Sequence, residues 1–142
     1  MKNMIITLAI MLLLTNLIMF QKDTNTLVWT MNNMKLMADE MARSAALEVD
    51  EEQYALGTIK FNEQAGKKAA ASAFSSGIKS IEDRAALRLF DRENITYTLS
   101  FNDEKRQVTV KLNLGTAKYA LPYLRTSQKM KCQSVYEYNL PT

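Results

Sequence analysis

A chain of 142 residues with a formal net charge of +3 is long enough for one small domain beside an apolar segment, and too short for two. It contains no histidine, which excludes histidine-dependent catalysis and removes the commonest zinc ligand. Its single cysteine, Cys132, cannot form an intrachain disulfide, so either a buried thiol or an intermolecular bridge is expected, and we favour burial.

An almost unbroken apolar run extends from Met4 to Phe20. As a helix it would rise about 25 Å, enough to cross a bilayer core of about 30 Å with slight thinning. A cleaved signal peptide is the competing interpretation, but the run exceeds the usual ~7–15 residues and no small-residue cleavage site follows it. We therefore expect a retained membrane anchor over residues 1–26 and an exported domain over residues 27–142. Lys2 favours a cytoplasmic N-terminus. The expected location is therefore the cell membrane, as a single-pass protein with its C-terminal domain outside, or a pilus.

Three polar residues interrupt this run: Thr7, Thr15 and Asn16. Threonine hydroxyls can bond to carbonyl groups of the preceding helical turn. The Asn16 amide has two alternatives, a hydrogen bond to a neighbouring helix or a position near the outer interface, where its polar end reaches water. The first alternative predicts assembly within the membrane.

Apolar residues return at helical spacing from Leu27 to Val49, in a stripe rich in Met and Ala that is flanked by Val28, Met37, Ala42 and Leu47. Since no Gly or Pro occurs before Gly57, one long helix is predicted, ending between Val49 and Tyr54. The stripe should pack mainly on the chain's own domain; alternatively, the part from Leu27 to Met37 packs against copies of the chain or other subunits. The residues predicted to form the membrane and assembly face are Ile5, Leu8, Leu12, Asn16, Met19, Leu27, Met31, Met34 and Ala38.

Two further helices are predicted before the sheet. Asn62 is a candidate N-cap for an alanine-rich helix that Gly77 would end. Ser80 with Asp83 resembles a capping box and predicts a third, short helix over residues 81–90.

From Ile95 the apolar period changes to two. Alternation over residues 95–101 and 108–114, separated by the turn 102–105, predicts a β-hairpin with one face on the core. Gly115 would end the second strand, a loop would follow over residues 119–124, and a last strand is predicted over residues 131–138, with Cys132, Ser134, Tyr136 and Tyr138 on one side. The expected fold class is α+β: a long N-terminal helix, short alanine-rich helices and a small antiparallel sheet of about three strands.

No motif for catalysis or cofactor binding is present, so we expect neither an enzyme nor a cofactor, metal ion or small-molecule substrate. The acidic cluster Glu48–Glu52 fits no calcium-loop spacing, lacks the loop glycine and is interpreted as a solvated turn. The basic residues concentrated after Asn102 could face anionic headgroups, an acidic partner or water. They form no dense run, and nucleic acid is not expected as a partner.

Three segments resemble the TadE-like minor pseudopilins of tight-adherence pilus systems. They are MADEMARSAALEVD (Met37 to Asp50), NEQAGKKAAASAF (Asn62 to Phe74) and QVTVKLNL (Gln107 to Leu114). The resemblance implies a pilin-like structural subunit of a pilus or secretion apparatus, in contact with lipid and with other pilin-like subunits or copies of itself. The family's basic leader and early glutamate are missing, because no Glu precedes Glu40, so processing by a prepilin peptidase is not carried over.

Two other functions fit the same sequence. One is an exported domain whose signal is removed and which binds an envelope partner. The other is a membrane-tethered accessory of a conjugation or competence machine.

Overall fold

The computed structural model describes residues 2–82, 89–119 and 129–138. Within these residues, three helices and three strands follow one another. The helices are α1 (Lys2–Leu47), α2 (Glu51–Ala55) and α3 (Glu63–Glu82), and the strands are β1 (Thr96–Asn102), β2 (Gln107–Gly115) and β3 (Met130–Glu137). The predicted α+β class is confirmed, and the arrangement is consistent with a pilin-like fold.

The first helix is continuous over 46 residues, because no glycine or proline interrupts it. It ends at Leu47, two residues before the predicted range. Val49 then forms an isolated antiparallel bridge with Phe61, and the Asp50 side chain accepts hydrogen bonds from the backbone N–H groups of Glu52 and Gln53. Asp50 therefore caps α2 in place of a further turn of α1.

The second predicted helix begins where expected and ends later. The Asn62 Oδ1 atom accepts a hydrogen bond from the Ala65 N–H at 3.2 Å, which confirms the N-cap. Gly77 does not end the helix: α3 continues to Glu82, and a Cβ at Gly77 would lie 2.5 Å from Met37 Sδ. Gly77 allows α3 to pack closely on α1 and does not end the helix in a left-handed conformation, so the prediction that it ends the helix was wrong.

The predicted capping box at Ser80 was also wrong, because Ser80 lies inside α3. Of the helix predicted over residues 81–90, Ile81 and Glu82 belong to the end of α3, and residues 83–88 lie outside the described residues. Leu89 and Phe90 are buried and precede a short 3-10 turn, Arg92–Asn94. Within the described residues, one helix of 20 residues thus extends past both Gly77 and Ser80.

The predicted hairpin and final strand are confirmed, each to within one residue. The sheet is antiparallel in the order β1-β2-β3, with Leu99 opposite Val110 and Val110 opposite Ser134. Gly115 ends β2 with a φ of +76°, a conformation that favours glycine. Cys132, Ser134 and Tyr136 share one side of β3 as predicted, and this side faces the core, whereas Tyr138 lies just beyond the strand. The predicted loop is described only as far as Tyr119.

The core lies between the second half of α1, the helix α3 and one face of the sheet. Helix α3 runs antiparallel to α1, since Gly66 lies beside Ala45 and Gly77 lies beside Met37. Ring contacts between Phe74 and Tyr97 and between Phe61 and Phe101 join the helical side to β1. The second half of α1 therefore serves as the domain's central helix.

Candidate functional site: the exposed helix and its junction with the domain

The first part of α1 projects from the domain and is not buried by any described residue. Every residue from Asn3 to Phe20 is exposed, and the large apolar side chains range from 42% exposed at Phe20 to 73% at Met4. Together they expose on the order of 1,000 Å² of apolar surface, worth about 25 kcal/mol if removed from water. Monomeric soluble proteins rarely expose apolar patches of more than a few hundred Å².

By length and composition, this helix can cross a membrane. Its mean hydropathy reaches 2.2 over an 18-residue window, none of which is buried. Thr7 Oγ1 donates to Asn3 O at 2.9 Å and Thr15 Oγ1 donates to Met11 O at 2.8 Å, so both hydroxyls are satisfied within the helix as expected. These contacts leave the helix surface compatible with a single-pass membrane protein.

Asn16 is satisfied only in part. Its Nδ2 atom donates to Leu12 O at 2.9 Å, which pairs one amide proton within the helix. The second proton and Oδ1 make no hydrogen bond with any described residue. Asn16 therefore retains one donor and one acceptor directed away from its own helix.

The folded domain begins close to the end of the apolar run. Asp23 is 2% exposed and Thr30 is fully buried, only three and ten residues beyond Phe20. Because residues seven apart lie on nearly the same side of an α-helix, Asn16, Asp23 and Thr30 share one face. The face that bears Asn16 is thus continuous with the face that the domain covers.

The structure divides the predicted assembly residues into three groups. Ile5, Leu8, Leu12 and Met19 are between 45% and 64% exposed, and Asn16 is exposed beside them. Leu27 and Met31 are half-buried against the domain core. Met34 and Ala38 are fully buried within the chain itself, as expected for a stripe that packs mainly on its own domain.

Outside the apolar segment, a different set of apolar residues on α1 is exposed. Val28 is 55% exposed, Leu36 is 65% exposed and Leu47 is 59% exposed. Val28 and Leu36 lie eight residues apart, with the exposed Asn32 between them, on the side of α1 opposite the core. We call Val28, Asn32 and Leu36 the outer ridge. Val28 and Leu47 were expected to flank the apolar stripe of α1, and both are exposed.

A polar cluster joins α1 to the edge strand β3. Lys35 Nζ donates to Asp39 Oδ1 and to Gln133 O, both at 2.9 Å, and Ser134 Oγ donates to Asp39 Oδ1 at 2.5 Å. Desolvation raises the pKa of the Asp39 carboxyl, but the hydrogen bond from Ser134 and the Lys35 ammonium lower it by more, so this pKa lies below its ordinary value. The cluster holds Asp39 ionised and fixes the middle of β3, at Gln133 and Ser134, against α1.

Ser134 and Lys35 are the residue types of a catalytic serine–lysine pair, but Ser134 is not accessible to a substrate. Ser134 is 4% exposed, and the carboxylate that accepts its proton in the hydrogen bond is a poor base because its pKa is lowered. Cys132, two residues earlier, is 9% exposed, and desolvation raises the pKa of its thiol. We assign Lys35, Asp39 and Ser134 a structural role.

The sequence offered only part of this cluster. Lys35 and Asp39 are visible as a pair four residues apart on a helix, and Ser134 was expected on the same side of its strand as Cys132. No local pattern indicates that residues 95 positions apart in the chain meet. That contact follows from the way in which the helix crosses the sheet.

The acidic turn after α1 borders an open depression of about 500 Å³ that Glu48, Asp50 and Asn62 help to line. Among residues 2–82, 89–119 and 129–138, no group of three or more His, Cys, Asp or Glu side chains is placed to hold a metal ion. Asp50 is instead engaged as the N-cap of α2.

No protein-family model, curated protein or solved structure matches this chain. The functional argument therefore depends on the chain's own residues and geometry, above all on an apolar helix with no partner among the described residues.

Proposed function

We propose that this chain is a single-pass membrane protein that acts as a pilin-like structural subunit of a pilus or secretion apparatus. The observation that carries the proposal is the apolar segment Met4–Phe20, which is exposed along its whole length and continues without a break into the central helix of the domain. Insertion in a bilayer removes this surface from water, and the unbroken helix couples the inserted segment rigidly to the domain.

The N-terminus lies in the cytoplasm and the α+β domain lies outside. Lys2 is the basic residue on the short side of the segment, whereas Lys22 on the other side is followed at once by Asp23. Because Asp23 is already buried, little flexible chain separates the bilayer from the domain.

Assembly uses two surfaces of α1. Within the bilayer, the unused donor and acceptor of Asn16 bond to a neighbouring helix, since polar contacts and close packing replace the hydrophobic effect there. Outside the bilayer, the outer ridge packs against another subunit, because Val28 and Leu36 are the large apolar residues that the domain leaves uncovered between Gln21 and Ala46.

Membrane retention is tested on the native protein by carbonate extraction, intact-mass measurement and N-terminal sequencing. We expect the chain to stay in the membrane fraction with the apolar segment attached. A soluble product that begins near Gln21 or later would refute the proposal and favour an exported domain with a cleaved signal.

Assembly is tested by Asn16→Leu and Leu36→Lys, with complexes followed by native electrophoresis after mild detergent extraction. Both variants should shift the chain to smaller species, because each removes a contact that the domain does not use. Leu56→Lys is the matched control: Leu56 is 76% exposed and lies at the far end of the domain, away from α1's outer ridge. Unchanged complexes in both test variants would contradict assembly through α1.

A further inference from the structure

The orientation of the sheet on α1 determines which end of the domain faces the bilayer. Near the C-terminal end of α1, Ala45 lies beside Gly66, whose position is also contacted by Phe101 at the end of β1. The Phe61 N–H donates to Asp103 Oδ1 in the hairpin turn, at 3.1 Å. The hairpin turn is therefore remote from the apolar segment, and the opposite end of the sheet, where β2 ends and β3 begins, faces it.

Charge is distributed unequally between these two ends. The remote end carries the acidic turn Glu48–Glu52, together with Asp103, Glu104 and Glu137, against fewer basic residues. The near end carries Lys129 and Lys131, both exposed. Neither lysine forms an ion pair with a described residue, whereas Lys118 pairs with Asp91 at 2.6 Å and Arg92 pairs with Glu82 at 3.0 Å.

Lys131 lies on the outer face of the sheet, opposite Asn113 near the end of β2. Lys111 lies on the same face but opposite Gln133, at mid-strand and farther from the apolar segment. Lys129 lines an open pocket of about 220 Å³ with Asn94, Asn113, Gly115 and Thr116. Amide and hydroxyl donors beside an ammonium group suit an anion with several oxygen acceptors; Glu93, exposed beside Asn94, is the carboxylate that opposes it.

This end of the sheet lies within reach of lipid headgroups. Lys35, which bonds to Gln133, is about 22 Å beyond Phe20 along the helix, and Lys129 is about 13 Å back along β3 toward the bilayer. The Lys129 backbone thus lies about 10 Å above the level of Phe20, and a lysine side chain can extend down into a headgroup layer about 5–8 Å thick.

We propose that Lys129 and Lys131 bind the phosphate groups of anionic phospholipids in the leaflet beneath the domain. The inference rests on the proposed membrane insertion and adds the lipid class and the residues that recognise it. The contact holds the basic end of the domain against the membrane and directs the acidic end away from it.

The alternative occupant of the lysines is the acidic end of a second copy. Lipid is favoured because the apolar segment, once inserted, places the near end of the sheet beside headgroups in every molecule. A second copy inserted in the same bilayer would hold its own acidic end away from the membrane, and could not bring it down to the lysines without withdrawing its apolar segment. The two occupants differ in their dependence on lipid charge and on protein density.

The first test is lysine acylation of the full chain in vesicles of phosphatidylcholine, with or without phosphatidylglycerol, using a membrane-impermeant reagent and peptide mass spectrometry. Phosphatidylglycerol should slow the labelling of Lys129 and Lys131 about fivefold each, and high salt should reverse the effect. Labelling of Lys60 and Lys105, which are exposed near the remote end, should not change. Free inorganic phosphate at equal ionic strength should not reproduce the protection.

The second test compares variants by energy transfer from Trp29, the single tryptophan, to dansyl-labelled phosphatidylglycerol or phosphatidylcholine. The wild type should prefer the anionic probe, and K129Q/K131Q should lose this preference. The control K60Q/K105Q has the same change in net charge at other surfaces and should keep it.

The outcomes separate this inference from the proposed function. Equal labelling and equal transfer with both lipids, in a chain that resists carbonate extraction, would overturn the lipid contact and leave the anchor intact. Protection that appears in phosphatidylcholine alone and grows with protein density would also overturn it, in favour of a second copy. Release of the chain by carbonate would refute the anchor itself.

Discussion

Replacing Gly66 with alanine is expected to weaken the packing of α3 on α1. The added Cβ would lie 2.8 Å from Phe101 Cζ and 3.1 Å from the backbone oxygen of Ala45, both closer than ordinary contact. Overpacking of this kind costs about 1–3 kcal/mol, and the better helix propensity of alanine returns up to about 1 kcal/mol. We expect a net loss of about 1–2 kcal/mol in the free energy of unfolding.

The matched variant is Gly77→Ala, at the second point where α3 meets α1. Its Cβ would come even closer to a neighbour, 2.5 Å from Met37 Sδ, but that neighbour is a flexible methionine side chain and not backbone. We expect a change within about 1 kcal/mol, because Met37 can move while the Ala45 carbonyl cannot.

Thermal unfolding of the full chain in detergent distinguishes the two. Near-UV circular dichroism follows the packed domain and is insensitive to a helix in a micelle. Gly66→Ala should lower Tm by about 4–8 °C, and Gly77→Ala by less. If Gly66→Ala were as stable as the wild type while Gly77→Ala lost stability, the assignment of the rigid contact to Ala45 would be refuted.

Three further measurements test the junction and the caps. Because the pKa of Asp39 is lowered in the folded state, the stability that its ionised form contributes is present above pH ~4 and is lost as the pH falls through the folded pKa. Ser134→Ala should therefore lower the free energy of unfolding by up to about 1 kcal/mol at pH 7 and by less at pH 3. The value is modest because the Asp39 side chain is 47% exposed. Equal effects at both pH values would contradict the ionised cluster. Cys132 should react slowly with a maleimide in the native state and rapidly in denaturant, because it is 9% exposed and desolvation raises its thiol pKa; rapid native labelling would place the thiol at the surface. Asn62→Ala should cost about 1 kcal/mol through loss of the α3 cap, measured by urea unfolding, and an unchanged midpoint would show that another group caps the helix.

Much of the fold follows from local patterns. The long helix is predicted because nothing before Gly57 breaks it, and the hairpin because apolar residues alternate on both sides of a polar turn. The cap at Asn62 was recognised for the same reason: each of these features depends on residues that are neighbours in sequence.

The assembly face illustrates what local patterns leave open. The stripe from Leu27 to Ala38 has apolar residues on more than one side, so periodicity alone cannot show which of them the domain covers. The structure buries Met34 and exposes Leu36. That choice is made by which side of α1 rests on α3 and the sheet, which no segment of α1 encodes by itself.

The sequence by itself determined that an apolar helix leads directly into a small α+β domain, since length, hydropathy and period are local quantities. Only the tertiary structure decided that Gly77 is a packing position and that Asp39 meets Ser134, because both roles depend on residues brought together from distant parts of the chain. The same holds for the lysines near the bilayer: their charges are visible in the sequence, but their common position comes from the direction in which β3 runs along α1.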